Sequence, residues 1–431
     1  GPHAALEGPV KQILKSIGGA AIKIPYSSTL LRNKDAVDTA VQLAATMFMK
    51  GVDINFGAIN FPFPGTKAPV LLTNLPKYSW NHSTKYWHES RIAEKHTNRP
   101  FGRNDLIGTL ANYSNDLEPT WRNIIRADDM PWVRHHKMQN MSVYPMAGYI
   151  AMALEASAQR AAMRNVAFDK FELREVTVSR PLVINEGSDV EANITLRAFT
   201  EGTRSSSDSW DEFRIFSWPK DRSWIEHCRG LISVVKSADG NVVDGAQQRL
   251  NAKTALIGKM AAFTEACSSD VDTAQMYETL AQAGAGYGQT FQGLENCRAS
   301  DNHAFADLII HPAFLDQFIQ IVWPIFGAGW KGLDVLYMPS FIQSMSLSKG
   351  ITRKSGDRLK VFGTGNPTPA SPTATKLSLF ATSESADESL ISMETLVMTP
   401  VFDGSGETGS TANRELCYKL QWEPLHAKHE R

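Results

Sequence analysis

Near the start of the chain, apolar side chains recur at helical spacing at Val10, Ile13, Leu14 and Ile17, and the run stops at Gly18-Gly19. The spacing predicts an amphipathic helix and the paired glycines predict its end. A second helix is predicted over Ala36–Met49, closed by Lys50-Gly51. The pattern then dissolves into a Pro- and aromatic-rich passage, from Phe61-Pro-Phe-Pro-Gly65 through Tyr78 and Trp80 to Trp87. It is too apolar for a flexible linker, so its rings are expected to pack as an ordered strap against a neighbouring domain.

From Arg103 the pattern changes. Residues 106–117 are broken by Gly, Asn and Ser, as in short strands with turns. A helix is predicted from about Met146 to Arg164, crowded with Ala and carrying Ile150, Met152 and Leu154. Small residues all round predict a buried helix that a sheet wraps closely. β-rich stretches follow at 171–183, 189–199, 210–218 and 224–235, separated by polar turns such as Glu201-Gly-Thr-Arg-Ser-Ser-Ser-Asp-Ser. After a polar stretch at 237–252 and a helical connector, the order repeats. A β-like region at 292–310 leads to a helix predicted to start at Pro312, a favoured first-turn residue. Further strands are expected at 333–337, 344–347, 358–363, 375–382 and 390–401, with a surface turn at 367–373 and a flexible exit at 403–413. One long buried helix followed by antiparallel strands, twice over, predicts an α+β fold of two tandem hotdog units.

Composition narrows the function classes. With 44 basic against 45 acidic residues among 431, the chain lacks the concentrated basic field of a nucleic-acid binder. No uninterrupted apolar run reaches membrane-spanning length, and no basic-then-apolar leader opens the chain, so a soluble cytoplasmic protein is expected. Cys228, Cys267, Cys297 and Cys417 form no CxxC pair and no metal-ligand cluster with the histidines, which predicts reduced thiols.

Two motifs bear chemistry. One is His136-Lys-Met-Gln-Asn140-Met-Ser-Val-Tyr-Pro145, running into the first buried helix; the other is His311-Pro312-Ala-Phe-Leu-Asp316-Gln-Phe-Ile-Gln320. Each places a proton-transferring group at the mouth of an apolar helix. Histidine is a natural base near neutral pH. Asp316 and Gln320 stand at i and i+4 and share a helix face, so the amide can hold the carboxyl. Taken singly, each motif has a plainer reading. A histidine in a polar stretch is usually a surface group, and His135 is an adjacent rival. His311 fits a capping role. The helix dipole favours a charged Asp316, whereas its neighbours Phe314, Leu315 and Phe318 favour a neutral one.

Together these motifs resemble the dehydratase domain of fungal highly reducing polyketide synthases. Counting back from Pro145 in that family's His-x3-Gly-x4-Pro pattern selects His136 as base, with Asn140 in the glycine position, whose backbone N–H would meet a thioester carbonyl. The second motif resembles His-Pro-x3-Asp-x3-Gln, which implies Asp316 as acid and Gln320 as its partner. Gly284-Ala-Gly-Tyr-Gly-Gln-Thr-Phe291 is similar to a Gly-Tyr-x-Tyr-Gly-Pro-x-Phe segment, with Ala285 and Gln289 departing from it, and implies a pocket hydroxyl at Tyr287. Pro145 and His311 join Gln320, Tyr287 and Asn140 as implied substrate-positioning residues. Met338-Pro339-Ser-Phe-Ile342 and His227-Cys-Arg-Gly230 look like structural segments of the family.

The resemblance reaches the chain's ends. Residues 1–16 are similar to an acyltransferase tail, which makes Gly1-Pro2 natural sequence, and 17–100 to an interdomain linker. Two hotdog units are implied at 101–237 and 269–404, joined by 238–268, with an exit at 405–431 toward a methyltransferase region. The implied activity is loss of water from a 3R-hydroxyacyl group, giving a trans-2-enoyl thioester. The substrate would ride on the phosphopantetheine of an acyl carrier protein, with no metal and no bound redox cofactor. Implied partners are that carrier, the flanking domains and a second copy of the chain. Arg122, Arg126 and Lys137 are basic residues available for carrier docking, and exposed charges by default. Two rivals remain open: an aldol cyclase of the product-template type, and an inactive double-hotdog scaffold.

Overall fold

The computed structural model describes residues 3–401 except 66, 68–69, 204, 220–222, 237–244, 311–312, 328–332, 334, 352–353, 368–373 and 386–387. The expectations placed on His311, Pro312, Cys417 and the exit segment therefore lie outside the described residues, as do most of the turn at 367–373 and part of the polar stretch at 237–252.

The chain divides into two compact units, the first ending at Trp87. The first holds helices α1 (Glu7–Ile17), α2 (Ala36–Met49) and α3 (Phe56–Asn60). Gly18 ends α1 at φ +75°, a left-handed conformation that glycine adopts freely. Asp35 caps α2 by accepting from the N–H groups of Val37 and Asp38. In the aromatic passage, Tyr78, Trp80, Tyr86 and Trp87 are exposed, and the Tyr78 and Trp80 rings stand 4.5 Å apart.

The second unit opens with α4 (Arg91–Thr97), β1 (Thr109–Leu110), β2 (Thr120–Ile125), β3 (His136–Met138) and β4 (Met141–Ser142). Helix α5 (Met146–Met163) follows, then β5 (Phe168–Val178), β6 (Val190–Thr200), β7 (Ser206–Trp218) and β8 (Ile225–Lys236). After α6 (Gly245–Ala266) come β9 (Ser269–Asp270), α7 (Thr273–Gln282), β10 (Ala285–Tyr287), β11 (Leu294–Ala299) and β12 (His303–Ile309). The chain continues through α8 (Phe314–Gln320), α9 (Val322–Phe326), β13 (Leu336–Ser348), β14 (Arg358–Gly365), β15 (Thr375–Ser383) and β16 (Ser389–Val401). No helix among the described residues is long and apolar enough to cross a membrane.

Thirteen strands form one antiparallel sheet in the order β1-β2-β6-β7-β8-β5-β13-β16-β15-β14-β12-β11-β9. The two halves meet where β5 pairs with β13, from Thr177 opposite Phe341 to Lys170 opposite Ser348. Each half has its own helix on this sheet, α5 in the first and α8–α9 in the second, as the two-hotdog expectation requires. Helix α5 is buried on nearly every face and packs against β6 and β8. One apolar core runs through both halves. Cys228, Cys267 and Cys297 are buried free thiols, and burial pushes the Cys267 thiol up to about 11.

Three local expectations need correction. The second buried helix is not continuous: it breaks at Ile321 between α8 and α9. Pro324 has no N–H to give the Gln320 carbonyl, so the helical ladder fails there. The strands expected at 333–337 and 344–347 are one strand, β13. A register shift between Pro339 and Phe341 lets the strand pass a residue that cannot donate to the ladder. Within 106–117 only Thr109–Leu110 is a strand. The substantial strand, β2, lies just beyond and anchors the buried Trp121, whose indole donates to Gln159 Oε1 at 2.7 Å.

Candidate active site

The base motif folds as a short hairpin. Strand alternation turns His136 and Met138 inward and Lys137 outward. Gln139 and Asn140 form the two-residue turn at φ +48° and +64°, the left-handed pair that a tight hairpin requires. Asn140 thus occupies a conformation that glycine takes easily and asparagine takes more readily than most residues. It is exposed at the hairpin tip and is not part of the cavity walls described below.

The hairpin is completed by the other half of the fold. Strand β10 pairs with β3, setting Tyr287 opposite His136 and Ala285 opposite Met138. The N–H of Gln139 donates to the Gly284 carbonyl at 2.8 Å, and that of Gly288 to the His135 carbonyl at 2.7 Å. These contacts separate the adjacent histidines. His135 is exposed and bonded through Nδ1 to the Thr290 hydroxyl at 2.6 Å. His136 is buried, with Nδ1 2.7 Å from the Val143 carbonyl. A carbonyl only accepts, so Nδ1 bears the hydrogen; in the neutral ring, Nε2 is the bare nitrogen.

Asp316 sits in the first turn of α8, 7% exposed. Gln320 Nε2 donates to its Oδ2 at 3.0 Å, one helical turn on. Burial raises the Asp316 carboxyl above the ordinary carboxylate range, and this outweighs the lowering effects of His136 and Gln320. The Tyr287 hydroxyl is also held protonated by burial, against a bond from Trp323.

His136, Asp316, Gln320, Tyr287 and Pro145 line one cavity of about 200 Å³, with Tyr144, Tyr149 and Trp323 among its other walls. Met338, Pro339 and residues 179–181 also line it. A second cavity of about 590 Å³ shares Pro145 and Asp316 with the first. Its walls are mostly apolar, with Ala147, Gly148, Ala151 and Leu154 of α5 alongside Phe171, Phe291, Phe314 and Leu347, and with Ser348 and Lys349 among the polar ones. A histidine and a carboxyl group therefore stand beside a largely apolar chamber, an arrangement able to take a proton from one carbon and give one to an oxygen on the next. Arg122 and Arg126 are engaged with Glu191 and Asp189, whereas Lys137 is exposed.

Two site residues escaped sequence reasoning. Tyr277 donates its hydroxyl to Gln320 Oε1 at 3.0 Å. Its signal was a polar-tipped aromatic on the apolar Met276–Leu280 face of an amphipathic helix. Tyr144 is 2% exposed, and its hydroxyl has no partner among the described residues. It stands immediately before Pro145, yet no spacing marked it.

A model of the polyketide synthase dehydratase domain matches residues 105–217, and one of the polyketide synthase dehydratase N-terminal domain matches residues 260–407. The chain is 48% identical over 444 residues to highly-reducing polyketide synthase 1 of Aureobasidium melanogenum, across 99% of this chain and 20% of that protein. It is 38% identical to reducing polyketide synthase PKS1 of Cochliobolus heterostrophus, across 98% and 18%. The chain thus spans about a fifth of the length of these curated relatives. Among solved structures, the dehydratase domain from the CurK module of curacin polyketide synthase superposes with a TM-score of 0.52 at 18% identity, covering 69% of this chain and 98% of that one. A trans-AT dehydratase domain from Brevibacillus brevis gives 0.54 at 16% identity, covering 70% and 100%. These two likenesses bear on the fold, which is a double hotdog.

Proposed function

We propose that this chain, which belongs to the dehydratase domains of fungal highly reducing polyketide synthases, removes water from a 3R-hydroxyacyl thioester with His136 as base and Asp316 as acid. The observation behind the assignment is their shared cavity, with His136 Nδ1 engaged by a carbonyl and the Asp316 carboxyl pushed upward by burial. His136 Nε2 takes the α-proton. The electron pair of that C–H bond becomes the new Cα=Cβ bond as the Cβ–O bond breaks. Asp316 protonates the departing hydroxyl, which leaves as water, and the product is a trans-2-enoyl thioester. The acid is left as carboxylate and the base as imidazolium, and proton exchange with solvent resets both.

The thioester is read as one carried on the phosphopantetheine of an acyl carrier protein, with no cofactor bound by this chain. The apolar second cavity suits the growing acyl chain. Pro145 and Tyr287 would position the thioester beside the dyad; Asn140 would act only through its hairpin, and His311 is kept as the family resemblance implies. Carrier, flanking acyltransferase and methyltransferase regions, and a second copy are the proposed partners.

The test is to incubate the chain with 3R-hydroxyacyl pantetheine thioesters of increasing length and follow enoyl absorbance. Water loss is expected. Ring formation from a poly-β-ketone thioester in its place would move the assignment to an aldol cyclase. Inertness toward every thioester in a well-folded sample would make the chain a scaffold.

A further inference from the structure

Tyr277, Gln320 and Asp316 form one buried line from α7 to the acid. Their exposures are 5%, 1% and 7%, and each link is 3.0 Å long. A glutamine amide can turn over, exchanging its carbonyl and its NH2, and the two orientations present opposite hydrogen-bonding groups to a carboxyl. The Tyr277 hydroxyl decides between them. In this structure the phenol donates its hydrogen to Gln320 Oε1. The amide then has its NH2 toward Asp316, and Oδ2 is occupied as an acceptor. A proton on the carboxyl has only Oδ1 left.

We propose that Tyr277 is a positioning residue for the acid: it locks the Gln320 amide and so keeps the transferable proton on the Asp316 oxygen left free for substrate. This rests on the reading of Asp316 as the general acid. Without the hydroxyl the amide is free to turn, and Oε1 then accepts from a protonated Oδ2. A bond to the charged form is lost and a bond to the neutral form is gained, and both changes stabilise the neutral acid. The carboxyl would hold its proton to higher pH, yet present it on the wrong oxygen.

Tyr277→Phe keeps the ring, including its contact with Tyr287 at 6.2 Å, and removes the hydroxyl. Infrared titration of the full chain reads the protonated carboxyl band of Asp316, identified by its loss in Asp316→Asn. The band's midpoint is expected to rise by about one pH unit in Tyr277→Phe. Turnover of a 3R-hydroxyacyl pantetheine thioester is expected to fall about tenfold with KM unchanged, less than the hundredfold or more of losing an acid outright. In a Gln320→Met background, Tyr277→Phe should change neither reading, because no amide remains to lock. A midpoint that stays or falls overturns the proposal, as does an effect that adds in full to that of Gln320→Met. A Tyr277 that merely supports packing would admit water when trimmed and lower the midpoint. Infrared reads the carboxyl whether or not the chain dehydrates anything. An inactive wild type therefore refutes the dehydratase reading, and the midpoint alone judges the lock.

Discussion

Tyr287 is the register partner of His136 across the β10–β3 pair, and the two rings stand 5.6 Å apart in an edge-on arrangement. The residue assigned as base belongs to the first half of the fold, while the strand that fixes its height and angle belongs to the second. Flanking bonds from Gly288 to His135 and from Gln139 to Gly284 extend this stitching along the motif.

His136→Ala should lower dehydration by about a hundredfold or more, the cost of losing a positioned general base. His135→Ala should have a much smaller effect, since its ring is spent on the Thr290 hydroxyl at the surface. Initial rates of enoyl formation check both. A reversed order would place the base one residue earlier than proposed.

Asp316→Asn should fold, bind substrate and dehydrate far more slowly, because an amide cannot hand a proton to a departing hydroxyl. A substrate with a better leaving group should recover part of the rate. Exchange of the α-proton in deuterated buffer should persist, as His136 is untouched. Near-normal loss of the natural hydroxyl in Asp316→Asn would reduce Asp316 to positioning the substrate.

Gly148→Ala should lower the melting temperature. A Cβ there would lie 2.5 Å from a ring carbon of Tyr144, which is itself buried. Overpacking of this kind costs about 1–3 kcal/mol, against about 1 kcal/mol gained by replacing glycine with alanine in a helix. Gly258 on α6 has nothing within 4 Å of the corresponding position, so Gly258→Ala should raise the melting temperature. Thermal melts of the two variants should shift in opposite directions.

Stability should fall on the acid side through His227. Its Nδ1 bonds the Arg180 carbonyl at 3.0 Å and its Nε2 the Ser217 hydroxyl at 2.7 Å, and burial depresses its pKa below the usual histidine value. The unfolded chain takes up this proton near pH 6.5, about the unperturbed value, whereas the folded chain resists it to lower pH. The contribution is therefore complete above that pH and is lost as pH falls from it through the lower folded value. Urea midpoints at pH 7.5 and 5.5 should differ more in the wild type than in His227→Gln.

Much of the fold was legible where local signals agreed. The second helix ran over Ala36–Met49 as its pattern predicted, because a capping Asp35 and a closing Lys50-Gly51 bracket one amphipathic run. The buried α5 was legible from its small residues, and β5 to β8 as β-rich stretches between polar turns. The break at Ile321 and the continuity of β13 were not, because a single proline in each case has a consequence that only the neighbouring ladder decides. In the site, Asp316 and Gln320 shared a face by helical arithmetic. The choice of His136 over His135 had been made by motif spacing, and it matches strand alternation with an outward Lys137. Tyr277 stayed hidden because its partner lies 43 residues away, at a distance no local period reports.

The β5–β13 and β10–β3 pairings also set a schedule for synthesis. Each joins residues about 150 or more positions apart. At ribosomal rates that separation corresponds to about 10–30 s. During that interval the first half emerges with β5 as an open edge and with the His136 hairpin lacking β10 on its other side. Open edges of this kind recruit other chains. The nascent protein is thus most prone to cross-pairing after its first core has formed, and before translation has reached the strand that seals it.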